Sequence, residues 1–563
     1  MMPVRTDLLP AARGTEPADI VFRNAEIFDA FSCTWEKNDL AVKSGIIIGT
    51  DRSYRGIRER DLHGACLLPG LIDAHVHIES SLLVPAEYAR LVAPHGTTTV
   101  VADPHEIANV AGLNGIEYML AGRTDVPVDI RYMLPSCVPA TPADVGGATL
   151  GAAELSLFVN REGILGLGEM MNVPGVLAGD PGIQKKLELC SIRDGHAPFL
   201  SGRDLNAYIL AGFQSDHECT LQKEAEEKLK KGMYIFVREG STEQNIAALV
   251  PMVTPHTVSR CSFATDDCHA DLLAQKGHID RCIRKAVSCG LEPELAIRMA
   301  TLSAAERFGL FDRGALTPGR RADLCIVDDL HAFTVKETFS GGRPVTAFAR
   351  PAKEQSHLPA TMRCRTPSPE QIRLYGHGMA RVIGLVPGQI VTEALQFDLD
   401  ASNLPDKKRD LLKIVVCNRY GTARVGTGIV HGFGFKDGAI ATSVSHDAHN
   451  IVATGTGDEA ILAAIDAVIR AEGGMAAVTG QECSLLPLDC AGLMSTLPAE
   501  EVVTQLDCLG EATQKMGGIA DPFMYLSFLA LTVIPSLRIT DRGLFDGVAF
   551  RDVGVFEQNP FLS

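Results

Sequence analysis

Residues 69–79 read PGLIDAHVHIE. A Pro-Gly turn leads into a short apolar run that ends in two histidines two positions apart. Side chains two apart on a strand share a face, so His75 and His77 form a pair, with Asp73 on that face as a neighbour. The run stands where the first strand of a parallel barrel should end, and barrel enzymes build their sites at the C-terminal ends of their strands. The pair reads as the start of a metal site rather than as two structural histidines satisfied by backbone carbonyls.

Downstream the text keeps one rhythm. Apolar runs (TTTVVAD 97–103, DIRYMLPSCVPA 129–140, ILGLGEMMN 164–172, APFLSG 197–202, MYIFVREG 233–240, CSFATDD 261–267) alternate with helix-like stretches such as PAEYARLVAPHG 85–96 and IDRCIRKAVSCG 279–290. Strands alternating with helices specify a parallel sheet. About 240 residues of alternation fit a closed (β/α)8 barrel, of the TIM type, better than an open sheet. Six or seven of its units are visible. LQKEAEEKLKK reads as the solvated face of an outer helix.

The flanks read differently. ADIVFRNAEIFD and DLAVKSGIIIGTD leave no room for a helix, and strand-like text returns in ALTPGRRADLCIVDD and GGRPVTAFARP. The expected organisation is α/β: a loose arm over 1–18, a small antiparallel β-sandwich domain built from 19–70 and 315–365, the barrel over 71–314, and a C-terminal α/β domain over 366–563. KEQSHLPATMRCRTPSPEQ, 353–371, reads as a linker. The glycines of GTGIVHGFGF have no phosphate-loop spacing and suit tight strand turns.

Composition narrows the function. Lys+Arg 52 against Asp+Glu 69 gives −17, and with 46% hydrophobic and 21% charged residues the 563-residue chain is a folded one. That charge argues against a nucleic-acid partner. No run reaches the roughly 18–20 apolar residues of a membrane span; 521–538 is interrupted by Pro522, Ser527, Thr532 and Pro535 and reads as a buried element. The N-terminus has no apolar signal core. Fifteen scattered cysteines without a C-x-x-C pair suit free thiols in a reducing cytoplasm.

Further candidate ligands fall at later strand ends: Glu169 in ILGLGEMM, His196 before APFLSG, His217 in SDHE, Asp266 and Asp267 in CSFATDD. Such a ring of nitrogen and oxygen donors suits Mn, Fe or Zn, and two ions bridged by a carboxylate are feasible.

These motifs resemble the amidohydrolase superfamily. VADPHEIANVAG, GLGEMMN, SDHE, GAIATSVSHDAHN and DPFMYLSFLALTVIPSLRITDRGLFD resemble, more closely, the bacterial adenine deaminase family, from about residue 19 to near the C-terminus. The resemblance implies two divalent metal ions (Mn, Fe or Zn) held by His75, His77, Glu169, His196, His217 and Asp266, with Glu169 bridging where hydantoinase-type relatives use a carbamylated lysine. It implies hydrolysis of adenine to hypoxanthine and ammonia by a metal-activated hydroxide, in cytoplasmic purine salvage. Asp266 is the expected proton carrier and Glu218 the second candidate. Asp103, His105, Glu106 and Asp267 are expected to face substrate or to orient ligands, although Asp103 could simply cap the next helix. His446 and His449 are expected at the barrel mouth, at a subunit contact or in a local turn. A homo-oligomer, such as a dimer, is the expected assembly.

Other readings stay open: an amidohydrolase acting on a different aminopurine or a cyclic amide, or a barrel that has lost catalysis. The cytidine-type zinc deaminase pattern is excluded, because His77-Ile78-Glu79 has no later P-C-x-x-C.

Overall fold

The computed structural model describes residues 5–141, 143–350 and 358–557. Eight short parallel strands form a barrel: β1 (Leu71–Val76), β2 (Thr97–Ala102), β3 (Asp129–Leu134), β4 (Ile164–Met170), β5 (Arg193–Gly195), β6 (Ser215–Asp216), β7 (Tyr234–Arg238) and β8 (Cys261–Ala264). β1 to β5 pair in order, as do β6 to β8. The Gln214 N–H donates to the Arg193 carbonyl at 3.4 Å between β5 and β6. Closure lies just past β8, where the Asp266 N–H donates to His75 O at 3.0 Å and the His77 N–H to Asp266 O at 3.3 Å. Ile72, Ala74, Val101, Met133, Phe236 and Ala264, drawn from five strands, pack as one apolar cluster.

Two details depart from expectation. The fifth strand is not APFLSG but Arg193–Gly195, so His196 follows a strand instead of opening one. Asp73 does not join the histidine pair. The pairing of β1 with β2 shifts register between Asp73 and Val76, and such a bulge re-aims side chains that simple alternation would align. Asp73 instead accepts from Thr265 Oγ1 at 2.5 Å and lies 3.0 Å from His278 Nε2.

Both flanks contribute to one eight-stranded sheet, in which Leu324–Val327 pairs antiparallel with Cys66–Pro69. The sheet is mixed, since Ala18–Asp29 runs parallel to Gly56–Asp61 and Cys66–Pro69. It curls until Ile46 bridges Arg321, enclosing Phe22, Leu40, Leu324 and Phe339. Residues 5–18 are not a loose arm: Leu9–Ala12 is a helical turn, and Leu8 and Ala11 are buried with Val21, Ile46 and Ile48. Two apolar side chains in a short polar text suffice to dock it. Residues 353–357 of the expected linker lie outside the described residues.

The C-terminal region builds a second eight-stranded sheet. Helix Asp458–Arg470 covers it with Ile461, Ala464, Ile465 and Val468. Between the strands Ala439–Thr442 and Ile451–Gly455, residues 443–450 form the loop that carries His446 and His449. In GTGIVHGFGF, Gly426 lies within the strand Val425–His431 and serves packing, since a Cβ there would lie 2.0 Å from Thr540 O. The 521–538 stretch is largely buried, with Asp521 and Pro535 exposed and a helix over Pro522–Phe528. Among the described residues no helix is long and apolar enough to cross a membrane.

Candidate active site

Six side chains converge at the C-terminal mouth of the barrel, each delivered by a strand end. His75 and His77 come from β1, their Nε2 atoms 3.2 Å apart. Asp266 Oδ1, arriving from beyond β8, lies 3.3 Å from His75 Nε2 and 3.2 Å from His77 Nε2. Glu169 near the end of β4 stands between two groups. Its Oε1 is 3.1 Å from His77 and 3.6 Å from His75. Its Oε2 is 2.6 Å from His196 Nδ1 and 3.3 Å from His217 Nε2. His196 is the most exposed of the six, at 16% of its side chain, so the centre opens to solvent on that side.

The donor chemistry fits cations. His77 Nδ1 lies 2.9 Å from the Asp103 carbonyl, which only accepts; Nδ1 therefore carries a proton, and in the neutral imidazole the Nε2 lone pair points into the centre. There it meets another imidazole nitrogen and two carboxylate oxygens, a convergence of acceptors that asks for positive charge. Titration agrees. Burial would lower the His75 imidazole, yet Asp266 and Glu169 carry it up to about 10. Burial would raise the Glu169 carboxyl, but His217 and His196 hold it well below the carboxylate range. Six side chains with nitrogen and oxygen donors can therefore hold divalent cations. The backbone of Asp266 is left-handed at φ 56°, a conformation that aspartate tolerates better than most residues.

Supporting groups fix this ring. Asp103 does not cap the following helix; its Oδ2 accepts the Glu169 N–H at 2.9 Å. That approach requires Gly168, where a Cβ would stand 2.0 Å from Asp103 Oδ2. Glu79 Oε1 accepts the Ile107 N–H at 3.1 Å, and Asp267 accepts from Ser80 Oγ. Glu218 lies 3.6 Å from His217 Nε2. Sequence reasoning missed Arg238. From the end of β7 its Nη1 reaches Asp266 Oδ2 at 2.8 Å and also contacts Glu218. A charged residue closing an apolar strand was the available signal, the same one that exposes Glu169.

Lys228 corrects the reading of its helix as a solvated face. It is fully buried, and its Nζ donates to Ala197 O at 2.7 Å, Asp216 Oδ2 at 2.9 Å and Glu224 Oε1 at 2.6 Å. Asp216 Oδ1 also accepts the Ala197 N–H at 2.8 Å, so one ion pair braces the neighbours of both His196 and His217. Removing one partner of a buried pair leaves an uncompensated charge; Lys228→Met should cost about 3–5 kcal/mol, read by denaturant unfolding. Burial would raise the Asp216 carboxyl, but Lys228 and then His217 bring it down to about 2. A depressed carboxylate stabilises above the ordinary range and loses that contribution as pH falls. The deficit of the variant should accordingly be full at neutral pH and narrow on acidification.

His105 sits edge-on to His77, ring centroids 4.5 Å apart, with Nδ1 3.6 Å from Glu169 Oε1. Its Nε2 is 3.5 Å from Glu106 Oε1. Glu106 in turn meets His446, at 2.5 Å from Nδ1, and His449 Nε2. Both C-terminal histidines are thus two residues away from the ring, through Glu106 and His105.

The chain matches the amidohydrolase family over residues 66–345 and the adenine deaminase C-terminal domain over 389–551. A protein of Methanoregula boonei named adenine deaminase is 74% identical, covering 98% of this chain and 99% of its own. One of Methanoculleus marisnigri, also named adenine deaminase, is 60% identical over 92% of this chain and all of its own. The adenine deaminase 2 of Carboxydothermus hydrogenoformans is 44% identical over 99% of this chain and all of its own.

Proposed function

The chain belongs to the adenine deaminase family of amidohydrolases, and from that premise we propose that it hydrolyses adenine to hypoxanthine and ammonia in the cytoplasm. The observation that carries the reaction class is the division of Glu169, one oxygen towards His75 and His77 and the other towards His196 and His217. His75, His77, Glu169 and Asp266 would hold one divalent cation, and Glu169, His196 and His217 a second, as Mn, Fe or Zn. Bound there, the ions supply the positive charge that lowers the pKa of water towards neutrality.

The protein's own groups handle the proton. Water adds its oxygen to C6 of the purine, the bond from C6 to the exocyclic nitrogen breaks, and that nitrogen departs as ammonia. Asp266 takes one proton of the attacking water and returns it to the amine, and the second proton ends on ring N1 of hypoxanthine. Arg238 holds Asp266 Oδ2, leaving Oδ1 turned to the centre. Glu218, on the same guanidinium, is the alternative carrier.

Protein loaded with manganese should release one ammonia per hypoxanthine formed from adenine. Release from a different aminopurine or a cyclic amide, with adenine inert, would keep the reaction class and overturn the substrate.

A further inference from the structure

The loop 443–450 of the C-terminal domain buries three titratable side chains, His446, Asp447 and His449, without belonging to a strand or helix. Two of them end on a single barrel carboxylate. His446 Nδ1 lies 2.5 Å from Glu106 Oε1, and His449 Nε2 contacts Glu106 Oε2. Two imidazoles and a carboxylate have the composition of a metal site, and these three groups are close enough together for one.

The proton on His449 decides otherwise. Its Nδ1 accepts the backbone N–H of Ser445 at 3.1 Å. In a neutral imidazole the proton is then on Nε2, the atom facing Glu106, so that nitrogen donates and has no lone pair for a cation. Each imidazole also takes a different oxygen, gripping the carboxylate from both sides. The histidines are themselves fixed. The His446 ring stacks on Phe528 at 4.4 Å, and its backbone N–H donates to Ser527 O at 3.0 Å. From Glu106 the contacts run through His105, 3.5 Å away, to Glu169, 3.6 Å further on.

We propose that His446 and His449 are positioning residues of the active site, clasping Glu106 from the C-terminal domain so that His105 is fixed beside Glu169. The barrel by itself is then an incomplete catalyst, and the second domain is a working part of the centre. The consequence for turnover rests on the deaminase reading above; the clasp does not.

Two measurements test it. In steady-state kinetics, His449→Ala and Glu106→Ala should each lower kcat about 10- to 100-fold, the range for groups that orient a metal centre's ligands, with KM changed less and metal content unchanged. Because His449 acts through Glu106, the double variant should be no worse than Glu106→Ala. His449→Gln, which keeps a side-chain N–H, should recover most of the loss. Losses that multiply in the double variant, or His449→Ala within twofold of the parent, would overturn the proposal. So would a third ion per chain that disappears in His449→Ala. Independently of activity, histidine-selective 15N spectra of the zinc-loaded protein should show His449 with its proton on Nε2, and a His105 signal that moves in Glu106→Ala. A proton on Nδ1 of His449 would overturn the clasp even in an active enzyme. An enzyme inert towards adenine that shows both spectral features would overturn the substrate and keep the clasp.

Discussion

Glu169→Gln should lower kcat by about a thousandfold and leave the protein short of bound metal. The carboxylate presents an anionic oxygen to each of two imidazole pairs, Oε1 to His75 and His77, Oε2 to His196 and His217. A carboxamide has one oxygen and one NH2, neither charged. Whichever way it turns, one pair of imidazoles faces N–H groups where a cation needs an anion. Charge stabilisation by bound cations is worth several kcal/mol, and each 1.36 kcal/mol is a decade in rate, which sets the expected loss. The fold should survive, because Asp103 is held by the backbone N–H of Glu169 and not by its side chain. The measurements are kcat, metal content and thermal unfolding on one preparation. Near-normal turnover with two ions bound would remove Glu169 from the centre.

The barrel was legible where apolar text and turn chemistry agree. PGLIDAHVHIE and ILGLGEMM became β1 and β4, and Glu169 and Asp266 drew notice as acids ending apolar runs. Strands β5 and β6 were not legible, for a physical reason: three and two residues long, reading RDG and SD, they have neither length nor apolar period. Asp73 was misread because a bulge is a feature of pairing between strands and leaves no trace in one strand's text. Lys228 was hidden by composition, since a buried lysine in LQKEAEEKLKK looks the same as its exposed neighbours until Asp216 is placed beside it. Glu106 and His449 are 343 residues apart. Nothing local marks either as the other's partner; only the packing of the two domains brings them together.

Asp266→Asn separates the two candidate proton carriers. Asparagine tolerates the left-handed backbone that Asp266 adopts at φ 56°, so the chain past β8 can close on β1 as before. Arg238 stays compensated, because it retains Glu218 in contact and Glu243 at 3.7 Å. No buried charge is stranded, and the folded state should lose little. What disappears is proton affinity at the oxygen facing His75 and His77. General-base action contributes about 10²- to 10⁴-fold, and kcat should fall within that range. Glu218→Gln makes the comparison sharp: it also leaves Arg238 paired, through Asp266, but removes a carboxylate that lies beside His217 rather than between the β1 histidines. A large loss in Asp266→Asn with a small one in Glu218→Gln assigns the proton to Asp266. The reverse order would move it to Glu218 and reduce Asp266 to a ligand, because both carboxylates share one guanidinium and only their distances from the β1 histidines distinguish them.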